Sequence, residues 1–158
     1  MDNSTPEVLM SELTTTVGTV LQQKSGDVLS IAPDASVYDA IEMMAEKAVG
    51  ALLVMERGEL LGIVSERDYA RKVILQGRHS KDTQVSEIMS SPVFTVSRQH
   101  TVGECLRIIT DRHFRHLVVT EHSKVVGVVS IGDLVNCIIT EQEQTIRHLH
   151  AYISGVAS

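Results

Sequence analysis

The sequence predicts an α/β (α+β) fold: two βαββα repeats closed about a pseudo-twofold axis, with an extended C-terminal helix. Three observations predict it. Residues 28–68 align with 93–133 at an offset of 65 without a gap, with 9 identities in 41 positions, among them Gly62/Gly127, Ser65/Ser130 and Asp68/Asp133. Each copy carries the same succession of strand-like and helix-like periods. The last helical pattern runs well past the point where its counterpart stops. Two copies are too few to stack as a solenoid, and a pair satisfies its apolar faces best by closing on itself.

The elements follow in order. Upstream of the copies, Val17, Val20 and Leu21 match Val85, Ile88 and Met89 at an offset of 68, so the Gln22–Asp27 linker is about three residues longer in the first. Val28–Ile31 is a β-prone run ended by Pro33-Asp34. Ser36 with Asp39 has the form of a helix-start capping box, after which Ile41, Met44, Ala45 and Ala48 share one helical face. Ala51–Met55 is a continuous apolar run, as expected of a strand covered on both faces. Arg57-Gly58 turns the chain into Leu60–Val64, and Ser65–Asp68 opens a helix to about Gln76, where Gly77 stops it. In the second copy, Val93–Val96 is the short strand and Thr101 with Glu104 caps the first helix. Leu117–Thr120 and Val125–Val129 form the hairpin, and Ser130 with Asp133 caps the last helix. Gly62 and Gly127 mark places where backbone approaches something closely. The resulting partition is a polar arm 1–14, repeat one 15–80, repeat two 81–140 and a helical extension 141–158.

In that extension Val135, Ile139, Gln142, Ile146, Leu149 and Ile153 alternate four and three apart, which is coiled-coil spacing. An amphipathic helix folded back on its own domain and a dimer seam both satisfy it. His148 and His150, two apart, point in different directions and make no metal site.

Lys+Arg 14 against Asp+Glu 20 gives a net charge of −6, which argues against nucleic acid and anionic membrane as partners. No apolar run approaches the roughly 18 residues of a membrane-spanning helix. Cys105 and Cys137 form neither a CxxC nor a metal-ligand spacing and read as core residues in a reducing compartment. The expectation is a cytoplasmic protein without a metal.

The chemistry sits at Gly62-Ile63-Val64-Ser65-Glu66-Arg67-Asp68 and Gly127-Val128-Val129-Ser130-Ile131-Gly132-Asp133. Each places a strand end, a hydroxyl and a carboxylate at a helix N-terminus, whose unpaired N–H groups and partial positive charge suit a phosphate. An Asp in that first turn can accept from both hydroxyls of a ribose. Ser-x-x-Asp is also an ordinary capping box, and the two roles can coexist.

This doubled Gly-x-x-Ser-x-x-Asp element, with the Ser36-Val37 and Thr101-Val102 helix starts and the runs Gly50–Val54 and Arg115–Val119, resembles a tandem pair of CBS domains, a Bateman module, over roughly residues 15–140. The resemblance implies two clefts that bind an adenine nucleotide (AMP, ADP, ATP or NAD(H), with S-adenosylmethionine a lesser candidate). Asp68 and Asp133 would hold ribose hydroxyls, Ser65 and Ser130 would lie near the ribose or phosphate, and Val28–Ile31 and Val93–Val96 would offer backbone to the adenine. It further implies a homodimer. One departure from the family pattern is Leu53 and Val118, which stand where many members carry proline.

The copies differ chemically. Arg112-His113-Phe114-Arg115-His116 stands where the first copy has Lys47-Ala48-Val49-Gly50-Ala51. Guanidinium groups bind phosphate oxygens bidentately, so Arg112, Arg115 and His116 are expected at the phosphate end of a cleft. For Arg112 and His113 a helix-dipole role is the competing explanation. Arg67 is a further ligand candidate, Arg71 a solvated helix residue. Met43, Met44, Met55 and Met89 read as core filler, and His79, His100 and His122 as loop residues. No nucleophile–base order, Walker loop or metalloprotease motif occurs, so no enzyme is expected. The expected function is a regulatory, nucleotide-sensing module that signals to a regulated protein by conformational change. The alternative is a ligand-free structural or dimerisation module.

Overall fold

The computed structural model describes residues 13–24 and 27–154. The polar arm up to residue 12 and part of the Gln22–Asp27 linker lie outside the described residues. In chain order the elements are α1 (Val17–Gln23), β1 (Ser30–Ile31), α2 (Val37–Lys47), β2 (Ala51–Glu56), β3 (Glu59–Ser65), α3 (Glu66–Tyr69), α4 (Val85–Ile88), β4 (Thr95–Val96), α5 (Val102–Arg112), β5 (His116–Glu121), β6 (Lys124–Ser130) and α6 (Ile131–Ile153). The chain divides into two compact units: residues 27–94, and the N-terminal segment together with residues 95–154.

In the continuous unit the sheet order is β1-β2-β3, with β1 parallel and β3 antiparallel to β2. Leu53 donates its N–H to Leu29 O at 3.1 Å, a bond that proline at this position would lack. Arg57 (φ 52) and Gly58 (φ 80) form the hairpin turn, both left-handed as a two-residue hairpin loop requires. Leu61 is the extra residue of a bulge, since Val54 faces Gly62 while Met55 faces Leu60. The core joins Val37, Ala40 and Met44 of α2, Leu52 and Val54 of β2, Val64 of β3, and Val85 and Ile88 of α4, with Met43 and Met89 packed against it. The helix expected from Ser65 to Gln76 is α-helical only to Tyr69, then widens to a π-helical turn over Ala70–Ile74 before Gly77 (φ 67) ends it.

The other unit repeats the plan. Its sheet is β4-β5-β6 with the same parallel and antiparallel pairings, and a bulge at Val126 corresponds to that at Leu61. The hairpin turn is again left-handed at both positions, His122 (φ 52) and Ser123 (φ 63), here without glycine. Thr101 and Ser130 cap α5 and α6 through reciprocal capping boxes.

The N-terminal segment docks onto this unit at the start of α5 and the loop before it. Val102 N–H donates to Thr15 O, Val17 N–H to His100 O, and Gly18 N–H to Arg98 O. In the continuous unit the corresponding bonds run from Val37 to Thr83, Val85 to Ala35 and Ser86 to Pro33. At offsets of 65 and 68 these are the same three bonds. Residues 13–24 thus occupy, beside the second copy's sheet, the place that residues 81–92 occupy beside the first. Val17 and Val20 are buried there, each worth roughly 1.5–3 kcal/mol of apolar burial.

Candidate functional site

The two glycines of the repeated motif mark this docking. A Cβ on Gly62 would stand 2.7 Å from Ser90 O and 3.0 Å from Met89 Sδ, and one on Gly127 would stand 2.6 Å from Leu21 Cδ2. The close approach expected at both positions is to the leading helix of a repeat.

In the continuous unit, Ser65 N–H and Oγ–H both donate to Asp68 Oδ2 (3.0 Å each), and Asp68 N–H donates to Ser65 Oγ at 3.2 Å. The other oxygen, Oδ1, takes Lys72 Nζ at 3.0 Å and Ser90 Oγ at 3.3 Å. Asp68 is buried, and protein groups engage both of its oxygens. Arg67 lies exposed beside it on α3. Ser65 stands opposite Ala51, and Glu66 N–H donates to Gly50 O, so small neutral residues line this strand–helix junction.

The matching junction in the other unit is built differently. Ser130 N–H donates to Asp133 Oδ2 at 2.9 Å, and Asp133 N–H donates to Ser130 Oγ at 3.1 Å. Lys24 Nζ, just beyond α1, reaches the same Oδ2 at 2.9 Å and also donates to Val128 O. The Asp133 side chain keeps 24% of its surface exposed, against 12% for Asp68. Burial acts to raise the Asp133 carboxyl, but the Ser130 N–H and Lys24 outweigh it and hold its pKa below the ordinary value.

His116 stands directly opposite Ser130, and Ile131 N–H donates to Arg115 O. Arg115 and His116 therefore flank the α6 N-terminus, where the first copy has only Gly50 and Ala51. Arg112 ends α5 on its exposed side, and His113 (φ 58) is the left-handed cap, as Ala48 (φ 53) is in the first copy. The structure joins Ser65 with Asp68 and Ser130 with Asp133 by hydrogen bonds, and sets the backbone of His116 opposite Ser130 and that of Arg115 beside Ile131. Arg67 is exposed on α3 of its own unit, and Arg112 is exposed at the end of α5 in the other.

Sequence reasoning missed Lys72, Ser90 and Lys24. Lys72 was within reach, because Asp68 and Lys72 are an i,i+4 pair. Ser90 and Lys24 come from the leading segments and follow no local spacing. Neither lysine has a counterpart: the aligned positions are Cys137 for Lys72 and Pro92 for Lys24. Among the described residues, no cluster of three or more His, Cys, Asp or Glu is arranged for a metal ion, and no helix is long and apolar enough to cross a membrane.

Two βαββα units, each opening a helix with a serine–aspartate box at the end of a hairpin, define a tandem-repeat α/β module. The CBS domain model matches residues 14–74 and 85–140, and the chain belongs to that family. It is similar to the mitochondrial CBS domain-containing protein CBSX3 of Arabidopsis thaliana, at 39% identity over 150 residues, 89% of this chain and 73% of the relative. A solved protein with CBS domains from Burkholderia ambifaria shares 45% identity with a TM-score of 0.77, over 81% of this chain and 96% of that one. A CBS domain protein of Pyrobaculum aerophilum, solved in complex with AMP, shares the fold at 24% identity and a TM-score of 0.66, over 75% of this chain and 88% of that one.

Proposed function

We propose that this protein is a non-catalytic regulatory module that binds an adenine nucleotide and transmits its occupancy to a partner protein. The observation that carries the reading is the α6 junction. The carboxylate of Asp133, its capping serine and the Lys24 ammonium meet there at the head of a 23-residue helix, with the backbone of Arg115 and His116 alongside. Such a set matches a ribose diol next to a phosphate: the carboxylate accepts from hydroxyls, and the cation and the helix N-terminus neutralise the ester. The AMP complex of the Pyrobaculum relative supports the ligand class. AMP, ADP, ATP and NAD(H) share these groups, and S-adenosylmethionine, lacking a phosphate, uses fewer of them.

Asp133 is the primary anchor in this reading, with Ser130, Arg115, His116 and Arg112 around it. Ser65, Arg67 and Asp68 form the weaker second site, where a ligand must displace Lys72 or Ser90 from Oδ1. Signalling follows from differential affinity: a nucleotide that binds one arrangement of the module better shifts the population toward it. A homodimer and the cytoplasm, a reducing compartment that suits two buried free thiols, complete the proposal. Titration calorimetry with AMP, ATP, NADH and S-adenosylmethionine tests it. Heat from a phosphate-bearing ligand, weakened by about 1.5–3 kcal/mol in Asp133→Ala, is the expected result. No heat from any of the four leaves the alternative, a structural module with empty clefts.

A further inference from the structure

The long helix α6 presents one face inward and another to solvent. Leu134 and Cys137 are buried, whereas Val135, Ile139, Ile146, Leu149 and Ile153 are 41%, 48%, 54%, 55% and 81% exposed. The helix does not fold that stripe back on its own domain, which removes one of the two readings open at the sequence level. With Ile139 as position a of a heptad, every a position from there on is isoleucine (Ile139, Ile146, Ile153), and the d positions are Val135, Gln142 and Leu149. β-Branched residues at a with leucine at d, the combination met here by the isoleucines and Leu149, favour a two-stranded parallel coiled coil.

We propose that this stripe is the seam through which two copies of the chain pair, with their α6 helices parallel and in register. The single polar position decides the direction. In a parallel pair Gln142 meets Gln142 of the second copy, and the two amides can satisfy one another inside the seam. In an antiparallel pair centred on the extension, Gln142 faces Ile146 and loses water without gaining a partner. Flanking residues agree: the parallel arrangement sets Ile138 beside Glu143 and Thr145 beside His150, so no like charges meet. Covering all five exposed apolar side chains would bury roughly 1,000 Å² over the pair, the lower bound of a biological interface. Tyr152, 80% exposed at the flanking g position, widens it.

The assignment deepens the dimer part of the proposed function and is independent of nucleotide, so it is tested without any. Sedimentation of the full chain should give twice the chain mass at micromolar concentration, and Ile139→Asp combined with Ile146→Asp should give the single chain mass. Both side chains are exposed in the single chain, so circular dichroism should still report a folded protein, with Tm lowered only by the stabilisation that pairing supplies. Gln142→Cys, oxidised in the native state, should migrate as a disulfide-linked dimer, which the parent with its two buried cysteines should not. A double-Asp variant that stays dimeric overturns the seam while leaving a dimer through another surface. A wild-type chain of single mass overturns both. Cross-linking only when Gln142→Cys is mixed with Ile146→Cys overturns the parallel direction.

Discussion

Leu21 lies against Gly127, so close that a Cβ at Gly127 would meet Leu21 Cδ2 at 2.6 Å. Its counterpart is Met89 against Gly62, where the backbone oxygen of Ser90 stands equally near. The two contacts differ in what can yield. A leucine side chain can rotate away, but Ser90 O belongs to a backbone bridge, exchanging hydrogen bonds with Ile63. Gly62→Ala should therefore cost about 2–3 kcal/mol and Gly127→Ala about 1 kcal/mol. Urea unfolding of both variants checks the order. A Leu21→Ala background should lessen the Gly127→Ala penalty, as expected of residues in contact.

The two candidate anchors should separate under substitution. Asp68 is buried with partners on both oxygens, so Asp68→Ala should lower stability by about 2 kcal/mol. Asp133, engaged by Ser130 and Lys24 and more exposed, should cost less than half of that on removal while weakening nucleotide binding more. Chemical denaturation and titration calorimetry on the same two variants read the separation.

Acid should remove part of the stability through Asp133. Its folded pKa is depressed, with burial opposed and outweighed by the Ser130 N–H and Lys24. The stabilisation is present above the unfolded carboxylate pKa of about 3.9 and is lost as pH falls through the lower folded value. Asp133→Asn should flatten the fall in Tm between about pH 5 and pH 2 relative to the parent. An identical slope in the two proteins removes Asp133 as a contributor.

Both thiols should be silent in the native state. Burial pushes Cys105 up to about 12, and burial with the nearby Glu141 raises Cys137. The thiolate is the reactive form. Ellman's reagent at pH 8 should report no fast-reacting thiol in the folded protein and two in denaturant; a fast native reaction contradicts the burial.

The second hairpin holds a serine where the first holds a glycine. Ser123 sits at φ 63 and Gly58 at φ 80. Glycine adopts that conformation without a Cβ penalty, so Ser123→Gly should stabilise the protein by about 0.5–1 kcal/mol, measurable as a rise in Tm.

Much of this molecule was legible in its residues because the signals are local. Strands, helices, capping boxes at Thr101, Ser65 and Ser130, and the left-handed turn at Arg57-Gly58 follow from side-chain period and short-range backbone chemistry. The π-helical turn at Ala70–Ile74 was not, since a helix widens by one residue without changing its apolar spacing much. Ser65 with Asp68 and Ser130 with Asp133 were readable as pairs three apart. The His116–Ser130 apposition followed once the hairpin was placed.

The sequence by itself determined two copies of one βαββα plan, their caps and turns, and a last helix with an unusually regular apolar stripe. Only the tertiary structure decided which sheet each leading helix joins: Leu21 seals Gly127, and Lys24 reaches Asp133 from 109 positions away. The physical reason is that aligned apolar segments such as Val17–Leu21 and Val85–Met89 fit either sheet equally well by composition. The choice rests on backbone hydrogen bonds and side-chain contacts between residues far apart in the chain, which no local period encodes.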